Sequence, residues 1–142
     1  TIAYAHKEFQ GFEFIVMESC YDNINHAFQH RMEKYLVPRI FYAGVFYFVE
    51  RKIQASHFSL RPERFVKNFV APTLFMAGDS EKVLPLPESQ KIYKFCTSKF
   101  KQFVIFQGAD HEDLYENNPV LFERTMDAFL IEIDNLNLAQ SA

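Results

Sequence analysis

Phe75-Met76-Ala77-Gly78-Asp79-Ser80-Glu81-Lys82-Val83-Leu84-Pro85 is an apolar run that breaks at a glycine and then delivers a carboxylate. Phe106-Gln107-Gly108-Ala109-Asp110-His111 repeats the form and delivers an imidazole. Each reads as a buried strand ending in a loop with an ionisable residue. On neighbouring parallel strands the two loops would meet at the C-terminal edge of the sheet, where open α/β folds place their sites. A carboxylate orienting a histidine is two thirds of a nucleophilic triad. The remaining third, a serine or cysteine on a tight glycine-flanked elbow, does not occur in these 142 residues.

Outward from these segments, Thr73–Ala77 and Lys101–Phe106 are read as buried strands, and Phe12–Met17 as an earlier one. Thr1–Phe9 reads as the last turns of a helix, stopped by Gly11. Asp22 is the expected N-cap of a helix with Ile24, Ala27, Phe28, Met32, Tyr35 and Leu36 on its apolar face. Pro38 interrupts that helix, and Ile40–Lys52 restarts as one that is apolar almost all round. Ser56–Val70 reads as a connector. Pro87 opens a helix expected to run through Cys96, with Ile92, Tyr93 and Cys96 inward. Asn118 and Pro119 open a last amphipathic helix marked by Leu121, Phe122, Thr125, Met126, Phe129, Leu130 and Ile133, and the tail from Asn135 is expected to fray.

This alternation predicts an α/β fold: three parallel strands with helices on their faces. Residues 1–19 form a helix end and strand, 20–70 a helical insertion, 71–134 the acid- and histidine-bearing part, and 135–142 a tail. Three strands are few for a parallel sheet, and the first would keep an unpaired edge. Further strands are therefore expected before residue 1 or on another chain, packed against Thr1–Met17. The chain also opens mid-pattern on Thr1 rather than Met, as expected of a fragment, a processed chain or half of a split protein.

Composition narrows the partners. Apolar residues are 49% of the chain, enough for a real core, and a formal charge of -3 argues against nucleic acid. The longest apolar stretch, Ile40–Val49, is far short of the ~20 residues that span a bilayer. Cys20 and Cys96 match no metal or redox spacing; two lone thiols suit an intracellular compartment or two buried small residues.

Gly78-x-x-Glu81-x-x-x-Pro85, after an apolar strand entered at Pro72, resembles the acid-bearing strand end of the α/β-hydrolases. Gly108-Ala109-Asp110-His111 resembles that family's histidine loop, at a typical separation from the acid. The strand ending Met17-Glu18-Ser19 resembles the one before the family's cap, and residues 20–70 match a helical cap or lid in position and length. The resemblance covers almost the whole chain but only the C-terminal half of that fold, and its flavour is nearest the serine peptidase-like and acyl-esterase-like branches. It implies hydrolysis of esters, thioesters, amides or peptides by a Ser-His-acid triad without a cofactor, with His111 as base and Glu81 as acid. Glu81 stands where Asp is commoner. The chain's four glycines, Gly11, Gly44, Gly78 and Gly108, form no G-x-S-x-G elbow, and its small neighbours are what that strained turn needs.

Asp79 is the competing acid, but its place early in the loop suits a turn. Asp110-His111-Glu112-Asp113 lacks a second histidine at ligand spacing, and His26 and His30, four apart, have no accompanying carboxylate motif; no metal site is expected. The aromatic stretch 40–49 could line an acyl pocket, meet a membrane or protein partner, or pack on the rest of the domain, the last being preferred. The leading function is the acid-and-base half of a serine hydrolase with a small acyl or peptide substrate, inactive alone. The alternative is a non-catalytic hydrolase-like subunit of a larger assembly. Membrane contact is a weaker third, because stretch 40–49 lacks a polar face.

Overall fold

A computed structural model of the chain describes residues 11–54, 56, 61–110 and 113–141. The helix read at Thr1–Phe9 lies outside the described residues, as does His111.

The elements run in the order β1 (Ile15–Glu18), α1 (Ile24–Lys34), a 3-10 turn (Arg39–Phe41), α2 (Tyr42–Ile53), α3 (Pro62–Phe65), a second 3-10 turn (Val66–Asn68), β2 (Thr73–Gly78), α4 (Leu86–Phe95), β3 (Lys101–Phe106), α5 (Leu114–Asn117) and α6 (Pro119–Ser141). Among the described residues the strands form one parallel sheet in the order β1-β2-β3. The fold is α/β, as the alternation predicts.

β2 is the centre, and all six of its residues are buried. A strand covered on both faces carries apolar side chains without alternation, and Leu74-Phe75-Met76-Ala77 does so. Its side chains still divide by the period of two. Phe75 joins Ile15, Met17, Val66, Phe69, Ile92 and Cys96 on one face. Leu74 and Met76 join Phe106, Leu114, Phe129 and Ile133 on the other. One sheet therefore has two cores, one beneath α4 and the 66–68 turn, the other beneath α5 and α6. Phenyl rings fill both: Phe75 meets Tyr93 edge-on at 5.5 Å and stacks on Phe103 at 6.5 Å, and Phe129 stacks on Phe100 at 5.8 Å.

Several elements differ from the sequence expectation, each for a local reason. β1 begins at Ile15, not Phe12, because Ile15 pairs with Thr73, the first residue of β2, and earlier residues have no strand beside them. The cap of α1 is Asn23, whose side chain accepts from His26 N; Asp22 is used elsewhere. Tyr35 and Leu36 lie beyond the end of α1 and are exposed. The connector 56–70 supplies core residues, since Val66 and Phe69 are fully buried. The tail does not fray at Asn135: α6 continues to Ser141, and no glycine or proline interrupts it after Pro119. Asn118 caps α6 as read, its side chain accepting from Leu121 N at 3.0 Å. None of the described side chains of α2 is buried, although Phe46 meets Phe28 of α1 at 5.7 Å. No helix among the described residues is long and apolar enough to cross a membrane.

Two substitutions probe this architecture. Phe75→Ala empties the ring stack beneath α4 and should cost about 3–5 kcal/mol in urea unfolding. Gly78→Ala places a methyl well inside contact distance of the Ala109 carbonyl and should cost about 1–3 kcal/mol as the two backbones separate.

Candidate active site

The C-terminal edge of the sheet is built where β2 and β3 end side by side. Gly78 pairs with Phe106, and both strands then turn out of the sheet. Asp79 N donates to Phe106 O at 3.2 Å and Ser80 N to Ala109 O at 3.0 Å. The exposed Asp79 carboxylate accepts from Gly108 N at 2.7 Å and from Ser80 Oγ at 3.2 Å. Gly108 has φ +75, the left-handed turn that glycine tolerates best. Asp79 thus clips one loop to the other. The acid loop and the first part of the histidine loop are one hydrogen-bonded unit.

Glu81 sits within this unit. It is buried, and its Oε1 accepts from Val83 N at 2.8 Å and Leu84 N at 3.2 Å. A carboxylate gripped by two backbone amides has a fixed position and cannot swing into solvent. Of the two candidate acids, Glu81 is sequestered and Asp79 bridges the loops. Asp113, two residues beyond His111, caps α5 by accepting from Tyr115 N at 2.9 Å. Across the edge, Glu18 at the end of β1 accepts from Leu114 N at 3.1 Å, which ties β1 to the start of α5.

A pocket of about 190 Å³ opens beside the acid loop. Its walls are Val83 and Leu84 on one side and Tyr21, Ile24, Ala27 and Phe28 on the other, with Arg31 at its edge. The residues that donate to Glu81 therefore also line an apolar cavity under the first helix of the 20–70 insertion. Cys20, just before this helix, packs against the core, and its burial pushes the thiol up to about 12; it stays protonated at neutral pH and makes a poor nucleophile.

Sequence reading missed a group of charges beside the pocket. Asp22, nearly fully buried, accepts from Lys91 Nζ of α4 at 2.6 Å, and Lys91 also lies 2.9 Å from Glu63. Arg61 pairs with Glu63 as well. Burial alone would raise the Glu63 carboxyl, but Lys91 and Arg61 outweigh it and hold it below its ordinary value. Hydrogen bonds to Asp22 and Glu63 raise Lys91. Asp22 and Lys91 are 69 residues apart, a separation that carries no sequence pattern.

No protein-family model and no curated protein matches the sequence. Solved structures do match in fold. An alpha/beta hydrolase enzyme from the metagenome of sediments from the lagoon of Mar Chica, Morocco, superposes with a TM-score of 0.64 over 93% of this chain and 56% of its own, at 11% identity. A monoacylglycerol lipase of Paleococcus ferrophilus gives 0.56 over 93% of this chain and 62% of its own, at 19% identity. An acylaminoacyl peptidase of Pyrococcus horikoshii gives 0.56 over 93% and 21%, at 16% identity. This chain spans less than two thirds of the length of each of them. At such identities the likeness is one of fold: the chain has the architecture of an α/β-hydrolase, with three of its parallel strands and the flanking helices.

Lys91→Met leaves two buried carboxylates facing each other and should destabilise by about 2–4 kcal/mol at pH 7, read by urea unfolding. Glu63 is held low in the folded state, so its contribution is present above its unfolded value and is lost as pH falls through the folded one. The variant and the parent should therefore draw together in stability only as pH falls below the ordinary glutamate range.

Proposed function

We propose that this chain supplies the acid and the base of a serine hydrolase acting on carboxylic esters, thioesters or amides, with Glu81 as acid and His111 as base. The observation that carries the reading is the joined loop pair: a sequestered carboxylate on one strand end, hydrogen-bonded loop to loop with the segment that leads into His111. The solved hydrolases of the same fold support it.

In this reading a serine hydroxyl attacks the acyl carbon while His111 takes its proton. His111 then returns the proton to the leaving alcohol, thiol or amine, and water repeats the cycle to release the acid. Glu81 fixes the imidazole tautomer and stabilises the imidazolium. No cofactor enters these steps. The serine elbow and the oxyanion amides come from outside these residues, packed against the open edge of β1. The exposed Phe48, Tyr47, Ile40 and Phe41 of the insertion are surface for the same partner. Alone, the chain is inactive. The apolar pocket between α1 and Val83–Leu84 receives the acyl group.

In the full-length protein, a fluorophosphonate probe should label one serine, and an acyl p-nitrophenyl ester should be hydrolysed. Glu81→Gln should lower kcat by about 10³–10⁴ with little change in KM, and Glu81→Asp should restore part of it. Asp79→Asn should leave kcat far less affected; an equal loss would move the acid to Asp79. Ala27→Phe should shift preference toward shorter acyl chains. A protein with no labelled serine, or with hydrolysis indifferent to Glu81 and His111, would be a hydrolase-like subunit without turnover.

A further inference from the structure

Glu88, in the first turn of α4, is buried, and neither of its carboxyl oxygens receives a hydrogen bond of normal geometry. Such a group is costly unless something neutralises or coordinates it. Two imidazoles from α1 face it: His30 Nε2 lies 3.0 Å from Glu88 Oε1, and His26 Nδ1 lies 4.0 Å from the same oxygen. Asp22 Oδ1 stands 2.9 Å from His26 Nδ1. The nearest ligand atoms of Asp22, His26 and Glu88 all fall within 4.8 Å of one another.

The charges around this cluster are unequal. Asp22 is matched by Lys91 from α4, and Glu63 of α3 by Lys91 and Arg61. Glu88 has no Lys or Arg of its own among the described residues. Its burial, and then the charge of Asp22, raise its carboxyl above the ordinary value, while His30, the backbone amide of Asp22 and His26 act in the opposite direction. His26 Nδ1 faces Asp22 Oδ1 at 2.9 Å, and that oxygen also accepts from Asn23 N at 2.6 Å and from Asn23 Nδ2 at 3.0 Å. With Nδ1 unprotonated, its lone pair and the carboxylate oxygens of Asp22 and Glu88 converge as ligands do around a cation.

We propose that His26, Glu88 and Asp22 form a site for a divalent transition-metal ion of the zinc type, with His30 beside Glu88 at its rim. One imidazole and two carboxylates, each carboxylate offering one oxygen, are a donor set that zinc accepts with its fourth position left open. Ligand atoms in such a site stand roughly 3.3 Å apart. The separations of 2.9 Å between Asp22 and His26 and 4.0 Å between His26 and Glu88 bracket that value. Both imidazoles are partly exposed, giving the ion a path in from solvent, while the carboxylates are buried behind them. The ion would tie α1 to α4 beside the apolar pocket, holding the insertion against the sheet; it has no part in the acyl chemistry.

The test is metal binding by the full-length protein after chelation and dialysis, titrated with Co²⁺ and then with Zn²⁺ in competition. One saturable equivalent, with visible absorption bands of tetrahedral Co²⁺ displaced by Zn²⁺, is expected. Glu88→Gln and His26→Ala should each weaken Co²⁺ binding at least about tenfold, whereas Glu33→Gln on the outer face of α1 should not. Circular dichroism of each variant separates lost ligation from lost folding. Absence of saturable binding, or binding indifferent to both Glu88→Gln and His26→Ala, would overturn the site. Because no hydrolytic readout enters, this result and that of the esterase test stand apart.

Discussion

Where β2 ends, two backbones approach so closely that no side chain fits between them. A Cβ on Gly78 would meet the Ala109 carbonyl, so only glycine allows the acid loop to leave the sheet along the histidine loop. The rest of the edge follows from that approach. Asp79 comes within reach of the Gly108 amide, Ser80 reaches the Ala109 carbonyl, and the turn closes around Glu81 by way of Val83 and Leu84. The strands beneath are held by the two phenyl-rich cores on either face of β2, which fix the register that brings Gly78 beside Phe106.

The insertion is attached by a different force. α2 buries none of its described side chains, and α1 buries Met32. What joins α1 to the body is charge: Asp22 just before it reaches Lys91 of α4, and Lys91 reaches Glu63 of α3. Buried ion pairs of this sort contribute little net stability compared with apolar packing, but they fix geometry, because a displaced partner leaves an uncompensated charge. Apolar packing is tolerant of small shifts. A paired buried carboxylate is much less so.

The parts legible in the sequence are those written in local pattern. β3 was readable to the residue, because Lys101–Phe106 is a short β-rich run; the centre of β2 was readable because a doubly covered strand is continuously apolar. The Asn118-Pro119 opening of α6 is a two-residue signal and needed nothing else. β1 was misplaced at its start because strand limits depend on where the neighbouring strand begins, a fact not held in residues 12–14. The end of α6 is not legible from composition, because a polar tail suggests fraying while no residue there breaks a helix. At the sheet edge the two loops were legible as motifs, and Glu81 lies in the first of them. The partners of His26 and His30 were not: Asp22 had been assigned to a cap, and Glu88 comes from another helix brought close only by the sheet.

These two levels of organisation meet at the pocket. One wall, Val83–Leu84, is the turn that holds Glu81; the other, Ile24, Ala27 and Phe28, is the inner side of α1. The first wall is set by the backbone contact at Gly78 and is as rigid as the sheet. The second is set by side-chain charges at Asp22, Glu63, Glu88 and Lys91, and these respond to protons and to cations where a packed core does not. The cavity therefore has one wall held by the backbone and one attached through side-chain charge. A change in that charge group reaches the cavity through α1 without passing through the turn that holds Glu81.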